Sequence, residues 1–349
     1  KTISGEHSDF IRHLVVHPTL PYVLSCGDDD RIFMFNWDKN WEKVNSFDDH
    51  EHYVMQLCIN PKDTNMFASA SLDRTVKIWA VSTTFEGEFR AAKFDHVIEA
   101  PFPQTPWEKI SGNWSSSFNQ NQYIAYAKKV QEHIAQGWVY QVNACREIST
   151  DVEVDNLRGL FSLILEKNPA PWACYFEAPG IDIASASPEL FLKREGNRIR
   201  TSPIKGTAPV GTTDFGVKDR AENVMIVDLM RNDLGQICKS GSVTVPRLLS
   251  TEAHPGLVHL VSDIEGELKE GTTWSEIFTL LSPPGSISGA PKSSAVSVIE
   301  ENEGKRGPYC GALGWVQGDQ SELSVAIRIF FKDDKLRFGT GAGITWASV

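Results

Sequence analysis

The sequence has few cysteines, no long apolar run and no leader-like start. These absences argue against a disulfide-bonded protein, a membrane-spanning protein and a secreted protein. Its six cysteines lie scattered, without CxxC spacing and without neighbouring histidines, which predicts reduced and mostly buried thiols. No apolar run approaches the length of a membrane span, and the opening KTISGEHSDF has no apolar segment typical of a signal peptide. We therefore expect a cytoplasmic chain that does not insert into membranes.

Positive charge is also in short supply. The chain carries 34 Lys and Arg against 45 Asp and Glu, a net charge of −11, with no basic run to offset it. This balance argues against a nucleic-acid partner, and any anionic substrate must be held by local positive groups. With 349 residues, of which 41% are hydrophobic, the chain is long enough for two soluble domains. It contains no dinucleotide-binding GxGxxG motif.

The first eighty residues contain a repeat with a period of 43 residues. Four pairs carry it: His7 and His50, Pro18 and Pro61, Asp30 and Asp73, Arg31 and Arg74. Short β-branched runs such as HLVV and FASAS alternate with turn segments such as GDDD and NPKDTN, and SLDRTVKIW has the form of a WD-type ending. Short strands at a period in the low forties are typical of β-propeller blades, so residues 1–82 are predicted to form two of them.

This segment resembles the coatomer beta-prime subunit family, through HSDFIRHLVVHPTLPYVLS and HEHYVMQLCINPKDTNMFASASLDRTVKIW. The resemblance implies binding of dilysine peptides by Asp9, Arg12 and Asp28, since carboxylates suit lysine ammoniums and an arginine suits a terminal carboxylate. The alternative is that Asp9 and Asp28 are turn and blade-edge residues. Two blades cannot close a ring, so we expect an incomplete peptide site and exposed strand edges.

Beyond the repeat, the character of the chain changes. The Pro-rich EAPFPQTPW predicts an extended linker over 83–109. The segment SSSFNQNQYIAYAKKVQEHIAQGW then predicts a helix with Ser or Asn as N-cap and Gly137 as its end. Strands and helices mix from there onward, which predicts an α/β or α+β domain over 110–349.

Five segments of that domain place charged residues among glycines, prolines and small residues: SASPELF, TSPIKGTAPVG, DRAENVMIVDLMRNDLG, SPPGSISGAPK and GTGAGITW. In order and spacing they resemble the chorismate-binding family, which includes anthranilate, aminodeoxychorismate, isochorismate and salicylate synthases. The resemblance implies an α+β fold in which antiparallel sheets are flanked by helices, with the site in a cleft between sheets. It also implies that chorismate, a dianion with a C4 hydroxyl, is the substrate.

Lys205 in PIKGT lies on a turn between proline and glycine. The resemblance implies that its neutral amine attacks ring carbon C2, expels the C4 hydroxyl and forms a covalent adduct that ammonia later displaces at C4. Anthranilate synthases resemble PIAGT here. Isochorismate and salicylate synthases carry a water-activating lysine where this chain has Gln141, which is no base at neutral pH. The combination favours an aminodeoxychorismate synthase component I.

Other residues match family positions. Glu189 in SASPELF matches the general acid and base, which needs a carboxyl with a raised pKa, although a glutamate after proline is also an ordinary helix start. His259 matches a histidine near the C4 hydroxyl, and Glu222 matches a Mg²⁺ ligand. The predicted substrate contacts are Thr207, Lys292, Tyr309, Arg328 and, in the glycine-rich segment, Gly341, Ala342 and Gly343. The alternatives are that Lys292 caps a loop and that the glycine-rich segment is only a turn.

Two departures from the family accompany these matches. Propeller-like residues stand where the family has its own N-terminal portion, and the chain stops at GAGITWASV, before a family helix with a second Mg²⁺ ligand. We therefore expect an artificial fusion with a C-terminally truncated catalytic domain. The predicted function is amination of chorismate with ammonia from a separate glutamine amidotransferase subunit. The alternatives are an anthranilate synthase component I and a binding module for dilysine peptides.

Overall fold

The computed structural model describes residues 5–17, 21–48, 50–60, 63–72, 76–77, 80–83, 85–86, 89–92, 101–107, 110, 112–152, 154–178, 180–211 and 215–348. The chain divides into two compact units. The smaller unit comprises 1–80, 91–98 and 271–278, and the larger comprises 81–90, 99–270 and 279–349.

The smaller unit is built from two antiparallel sheets. The first has the order β1-β2-β3-β4, from β1 (Ile11–Val16), β2 (Tyr22–Gly27), β3 (Ile32–Asn36) and β4 (Glu42–Phe47). The second has the order β5-β6-β7, from β5 (Val54–Asn60), β6 (Asp63–Ser71) and β7 (Val76–Lys77). One apolar cluster joins the two sheets: Leu24, Cys26, Ile32, Val54 and Leu57.

The 43-residue repeat is visible as a repeated contact. His7 Nε2 lies 2.8 Å from Ser25 Oγ, and His50 Nε2 lies 2.7 Å from Ser69 Oγ. In the first copy the other ring nitrogen lies 2.9 Å from the Asp29 carboxylate. Pro18, Pro61, Asp73 and Arg74 of the repeat, and the tryptophan of SLDRTVKIW, lie outside the described residues. The propeller assignment stays a prediction.

The predicted dilysine-binding residues are engaged locally. The guanidinium of Arg12 makes a bidentate ion pair with the carboxylate of Asp28, whose side chain is buried. Asp9 is exposed and accepts a hydrogen bond from the N–H of Phe10. The positive and negative groups that a peptide would need at Arg12 and Asp28 therefore neutralise each other.

The larger unit contains two antiparallel sheets. One has the order β10-β11-β23-β22-β13-β12, with β19 paired to β11; its strands are β10 (Ser115–Ser116), β11 (Gln141–Thr150), β12 (Trp172–Ala178), β13 (Ile181–Ser187), β19 (Gly289–Ala290), β22 (Ile329–Lys332) and β23 (Leu336–Ile344). The other has the order β16-β18-β15-β14-β21-β20-β8-β9, with β17 paired to β18; its strands are β8 (Ala80–Thr83), β9 (Phe89–Ala92), β14 (Leu190–Glu195), β15 (Arg198–Ser202), β16 (Ile204–Pro209), β17 (Thr244–His254), β18 (Leu257–Glu267), β20 (Ala312–Gln317) and β21 (Gln320–Val325).

The helices are α1 (Gln120–Ala135), α2 (Arg158–Lys167), α3 (Val217–Ile237), α4 (Trp274–Leu281), α5 (Gly285–Ser288) and α6 (Lys292–Asn302). The predicted α+β class is therefore confirmed. Within the described residues, none of these helices has both the length and the apolar character needed to cross a membrane.

Local sequence explains two of the helices. Helix α1 begins with the N-cap Asn119, whose side chain accepts from the N–H of Gln122 in a capping box, and Gly137 with φ of 75° follows its end. Helix α3 buries a stripe at helical spacing, comprising Asn223, Ile226, Val227, Met230, Asp233, Leu234 and Ile237. Two members of that stripe are polar, which predicts specific partners for them.

Described parts of the predicted linker over 83–109 make specific contacts with the rest of the larger unit. Thr83 pairs with Ala312 at the edge of β20, and the Glu86 carboxylate accepts the backbone N–H groups of Arg306 and Gly307. Further along, the ring of Phe102 packs 4.8 Å from that of Phe161. These contacts bind parts of the segment to the larger unit, because its backbone groups and aromatic rings find partners there.

Candidate active site

Glu189 lies where the chain passes from one sheet of the larger unit to the other, between β13 and β14. Its side chain is buried, and its carboxylate accepts hydrogen bonds from the Ser286 hydroxyl and from the backbone N–H of Ile204. Burial raises the pKa of Glu189 to about 7, against the opposing effects of Ser286 and the charge of Lys205. A carboxyl with this pKa can hold or release a proton near neutral pH.

Lys205 occupies a bulge in β16. Ile204 pairs with Val261 and Thr207 pairs with His259, so β16 has one residue more than β18 between the two pairs. Gly206 has φ of 95°, and an added Cβ would meet Phe215, Asp219 and Leu260 at 3.1–3.2 Å. The half-buried Lys205 has a lowered pKa because burial disfavours its charge, although the charges of Glu189 and Glu222 oppose that shift.

His259 is buried on β18 next to Thr207 and Arg328. Its Nδ1 lies 2.9 Å from Thr207 Oγ1, and its Nε2 lies 3.5 Å from Arg328 Nη2. A guanidinium can only donate, so this arrangement assigns the lone pair to Nε2 and the proton to Nδ1, which donates to Thr207. Burial first, and then the charges of Arg328 and His254, lower the pKa of His259 to about 4. The imidazole is therefore neutral at physiological pH.

The remaining predicted substrate contacts surround β11 and β23. Tyr309 is buried, its hydroxyl lies 3.8 Å from Cys145 Sγ, and its ring lies so close to Gly339 that any Cβ there would clash. A Cβ at Gly341 would meet Cys145 Sγ at 2.5 Å, and one at Gly343 would meet Gln141 Nε2 at 2.3 Å. The glycines thus allow close packing of β23. The N–H of Ala342, a predicted substrate contact, is directed at the hydroxyl of Tyr123.

Gln141 is fully buried, and both polar atoms of its amide are without a hydrogen-bond partner among the described residues. A buried amide with neither group satisfied costs free energy, so natural proteins rarely retain one without a use. Gln141 is therefore a buried group able to hydrogen-bond a ligand.

The predicted Mg²⁺ ligand can be tested against the geometry. Glu222 on α3 has a buried Oε1 without a hydrogen-bond partner in the described part of the chain, at 3.8 Å from Lys218 Nζ. Within that same part, three or more acidic, histidine or cysteine side chains nowhere assemble into a metal site. One free carboxylate oxygen fits Mg²⁺ held by a single side chain together with substrate oxygens and water.

The ammonium of Lys292 is engaged by protein groups around it. Its ammonium forms an ion pair with Asp233 at 2.6 Å and donates to the carbonyls of Leu280 and Leu281 at 3.2 Å each. An ammonium has three N–H groups, and all three have partners. Lys292 therefore ties the start of α6 to α3 and to the end of α4, in line with the alternative that it caps a loop, and its substrate contact stays a prediction.

Two residues of the site were not singled out from the sequence. Ser286 lies in SPPGSISGAPK, where Lys292 drew attention instead, and its hydroxyl donates to Glu189. Asn223 directly follows Glu222 and hydrogen-bonds the backbone at Lys205. Both residues lie inside segments that the sequence pattern singled out. The pattern identified these segments but did not identify the two residues within them.

Comparison with known proteins adds the family. The family model described as chorismate binding enzyme matches residues 32–349, and the one described as WD domain, G-beta repeat, matches residues 1–36. The chain is 34% identical over 267 residues to anthranilate synthase component 1 1 of Haloarcula marismortui, covering 72% of this chain and 54% of that protein. It is 33% identical over 255 residues to aminodeoxychorismate synthase component 1 of Bacillus subtilis, covering 69% and 54%.

The chain thus spans about half the length of these relatives. In fold it is similar to the crystal structure of anthranilate synthase component I from Streptococcus pneumoniae, with a TM-score of 0.67, 18% identity, and coverage of 100% of this chain and 90% of that one. The match over 32–349, together with the buried carboxyl and lysine between two antiparallel sheets, places the chain in the chorismate-binding enzyme family.

Proposed function

We propose that the larger unit aminates chorismate at C4, giving 4-amino-4-deoxychorismate, as an aminodeoxychorismate synthase component I does. The observation that carries the proposal is the pairing of Lys205 with Glu189. Burial lowers the pKa of the amine and raises the pKa of the carboxyl to about 7. Both groups are thereby shifted toward their neutral forms, which are the forms that nucleophilic attack and proton donation need.

In the proposed first step the Lys205 amine bonds to ring carbon C2. The two ring double bonds shift, the C4–O bond breaks, and Glu189 donates its proton so that the hydroxyl leaves as water. The nitrogen of Lys205 keeps its positive charge in the adduct, so that it can leave C2 as a neutral amine in the second step. Ammonia then bonds to C4, the double bonds shift back, the C2–N bond breaks, and the deprotonated Glu189 accepts a proton from the new amine. The sum is chorismate plus ammonia giving 4-amino-4-deoxychorismate plus water.

The surrounding residues serve binding. Arg328 donates to a substrate carboxylate, and His259, with its Nε2 lone pair, accepts from the C4 hydroxyl once Arg328 has turned to that carboxylate. Glu222 would hold Mg²⁺, which would offset the negative charge of the substrate when bound. Ammonia is proposed to come from a glutamine amidotransferase subunit. Gln141 supports ammonia over water as the incoming group, because an amide cannot deprotonate water at neutral pH.

A second candidate is formation of anthranilate, which the names of several relatives favour. The test is to incubate the chain with chorismate, Mg²⁺ and isotopically labelled ammonium and to identify the products by mass. We expect the label in 4-amino-4-deoxychorismate, which retains its enolpyruvyl ether. A labelled fluorescent aromatic acid accompanied by pyruvate would establish the second candidate, and isochorismate would contradict both.

A further inference from the structure

One buried side chain, that of Asn223 on α3, hydrogen-bonds the backbone at the bulge that carries Lys205. Its Nδ2 lies 3.0 Å from the carbonyl oxygen of Leu260 and 3.4 Å from that of Lys205. Its Oδ1 accepts from the Ser262 hydroxyl at 2.6 Å. An amide has two donors and one acceptor oxygen, and each has a partner here. Asn223 is only 1% exposed, so it has no solvent to replace a lost partner.

The need for this contact comes from the register of the sheet. At the bulge, β16 gains a residue relative to β18, so the backbone of Lys205 and Gly206 has no regular pairing position between Ile204 and Thr207. A buried carbonyl without a partner is costly, and Asn223 supplies the missing donor at Lys205 while also binding Leu260 on β18. The side chain therefore bridges the two strands where the ladder is interrupted.

A second irregular strand lies at the other end of the same network. The Ser262 hydroxyl, which donates to Asn223, also accepts the N–H of Leu249, a residue of β17 with φ of 52°. Strand β17 has its own register shift between Arg247 and Ser250. The chain of hydrogen bonds runs from the irregular part of β17 through Ser262 and Asn223 to the bulge of β16. Such a fully satisfied buried network specifies one backbone arrangement.

We propose that Asn223 is a positioning residue which, by clasping the Lys205 carbonyl to β18, fixes the direction of the Lys205 side chain toward Glu189 and Glu222. Because Glu222 directly precedes Asn223 on α3, the same contact sets the place of that carboxylate relative to the amine. The importance of this direction for catalysis rests on the proposed function. The geometric claim about Lys205 does not, and it can be measured without substrate.

The experiment compares Asn223→Ala with Asn232→Ala in the full chain. Asn232 lies on the same helix but is exposed, so Asn232→Ala makes the same chemical change without removing the hydrogen bonds of Asn223. Each protein is treated with a trace of acetic anhydride across a pH series, and acetylation of Lys205 is quantified by peptide mass spectrometry. The exposed Lys128, on the different helix α1, serves as the internal reference.

In the parent chain and in Asn232→Ala, we expect Lys205 to react at a lower pH than an ordinary exposed lysine does, because burial lowers the pKa of its amine. In Asn223→Ala we expect its midpoint to rise toward the ordinary lysine value of about 10.4. Identical Lys205 profiles in the parent chain and Asn223→Ala would overturn the proposal. Ser262→Ala, which removes only the tether of Asn223, gives a second test if Asn223→Ala does not fold: a smaller shift in the same direction supports the clasp, and no shift contradicts it.

The proposed function and the positioning role of Asn223 can be disproved independently. If the parent chain forms no adduct with chorismate while the acetylation midpoint still depends on Asn223, the proposed function is wrong and the clasp stands. If the adduct forms equally well in Asn223→Ala with an unchanged profile, the function stands and the clasp is wrong.

Discussion

The buried polar groups around His7 and Arg12 in the smaller unit and those at the candidate site of the larger unit are satisfied to different degrees. In the smaller unit, His7 is bound by both Ser25 and Asp29, and Arg12 is bound by Asp28, so each group is neutralised by its neighbour. In the larger unit, the amide of Gln141 and Oε1 of Glu222 are without hydrogen-bond partners among the described residues. A satisfied network stabilises a fold, whereas an unsatisfied buried group requires a ligand to offset its cost.

The contrast is sharpest for the arrangement of Ser25, His7 and Asp29. Taken as residue types, a serine, a histidine and an aspartate in hydrogen-bond contact form the set of a hydrolytic triad. Here a second histidine and serine, His50 and Ser69, repeat the contact in the second sheet of the unit. Because the same contact occurs once in each sheet of the smaller unit, we interpret it as a structural contact of the fold. Chemistry is better sought where pKa values are displaced and partners are missing.

The largest expected effect of a single substitution falls on Lys205. Lys205→Ala should lower the rate of amination by at least about 10³-fold, the scale expected when a group that bonds to the reacting carbon is removed. The matched control is Lys43→Ala in the smaller unit, where the lysine pairs with Glu6 at 2.6 Å. Product formation by liquid chromatography measures both. A comparable loss in the control would break the contrast between the units.

Glu189→Gln should follow, with a loss of about 10²- to 10⁴-fold, because the amide cannot donate the proton that the leaving hydroxyl needs. The acid form of Glu189 is present below its pKa of about 7 and is lost above it, so the step assisted by the acid should slow as pH rises through 7. A pH–rate profile checks this. A parent profile that stays flat from pH 6 to 8, or an unchanged rate in Glu189→Gln, would contradict the assignment.

Burial of Glu189 also predicts a stability effect with a definite sign. Its pKa is raised on folding, so its contribution to stability is fully present below the unfolded pKa and is lost as pH rises through about 7. Glu189→Gln, which is uncharged at every pH, should therefore gain stability relative to the parent chain at pH 8 compared with pH 5. Thermal unfolding at both values measures the difference. Equal differences at the two pH values would show that the carboxyl is not desolvated.

Arg328→Gln should have a smaller effect, mainly on substrate binding. Loss of a charge-assisted hydrogen bond to a carboxylate corresponds to a KM increase of about 10- to 100-fold. The control in the smaller unit is Arg31→Gln, where the exposed arginine lies 3.6 Å from Asp48. Steady-state kinetics against chorismate separates KM from kcat. A fall in kcat with KM unchanged would assign Arg328 to a different role.

The smallest expected effect on chemistry comes from the ion pair of the smaller unit. Arg12→Ala leaves the buried Asp28 carboxylate without its main partner, so the melting temperature of that unit should fall. Amination by the larger unit should be unchanged when it is measured below that temperature. If Arg12→Ala abolished amination while the chain stayed folded, the division of labour between the units would be wrong.

Sequence patterns predicted features that depend on residues close together in the sequence, such as helix caps. The capping residues around α1 lie next to each other in sequence, whereas the turn predicted for Lys205 from its flanking proline and glycine is a bulge within strand β16. The place of Lys292 could not be predicted in this way, because its partner Asp233 lies on another helix, and a lysine in a glycine-rich segment suits both roles. The contacts of the described part of the segment from 83 to 109 could not be predicted for a related reason. A Pro-rich composition is the same whether the chain is free or packed against Phe161.

The central claim is a covalent bond between the Lys205 amine and the substrate ring. The most direct measurement is mass spectrometry of the chain after incubation with chorismate and Mg²⁺ in the absence of ammonia. The account predicts a modification equal to chorismate less one water on the peptide that contains Lys205, removed when ammonium is added. An unmodified Lys205 peptide from a protein that goes on to aminate chorismate would contradict it.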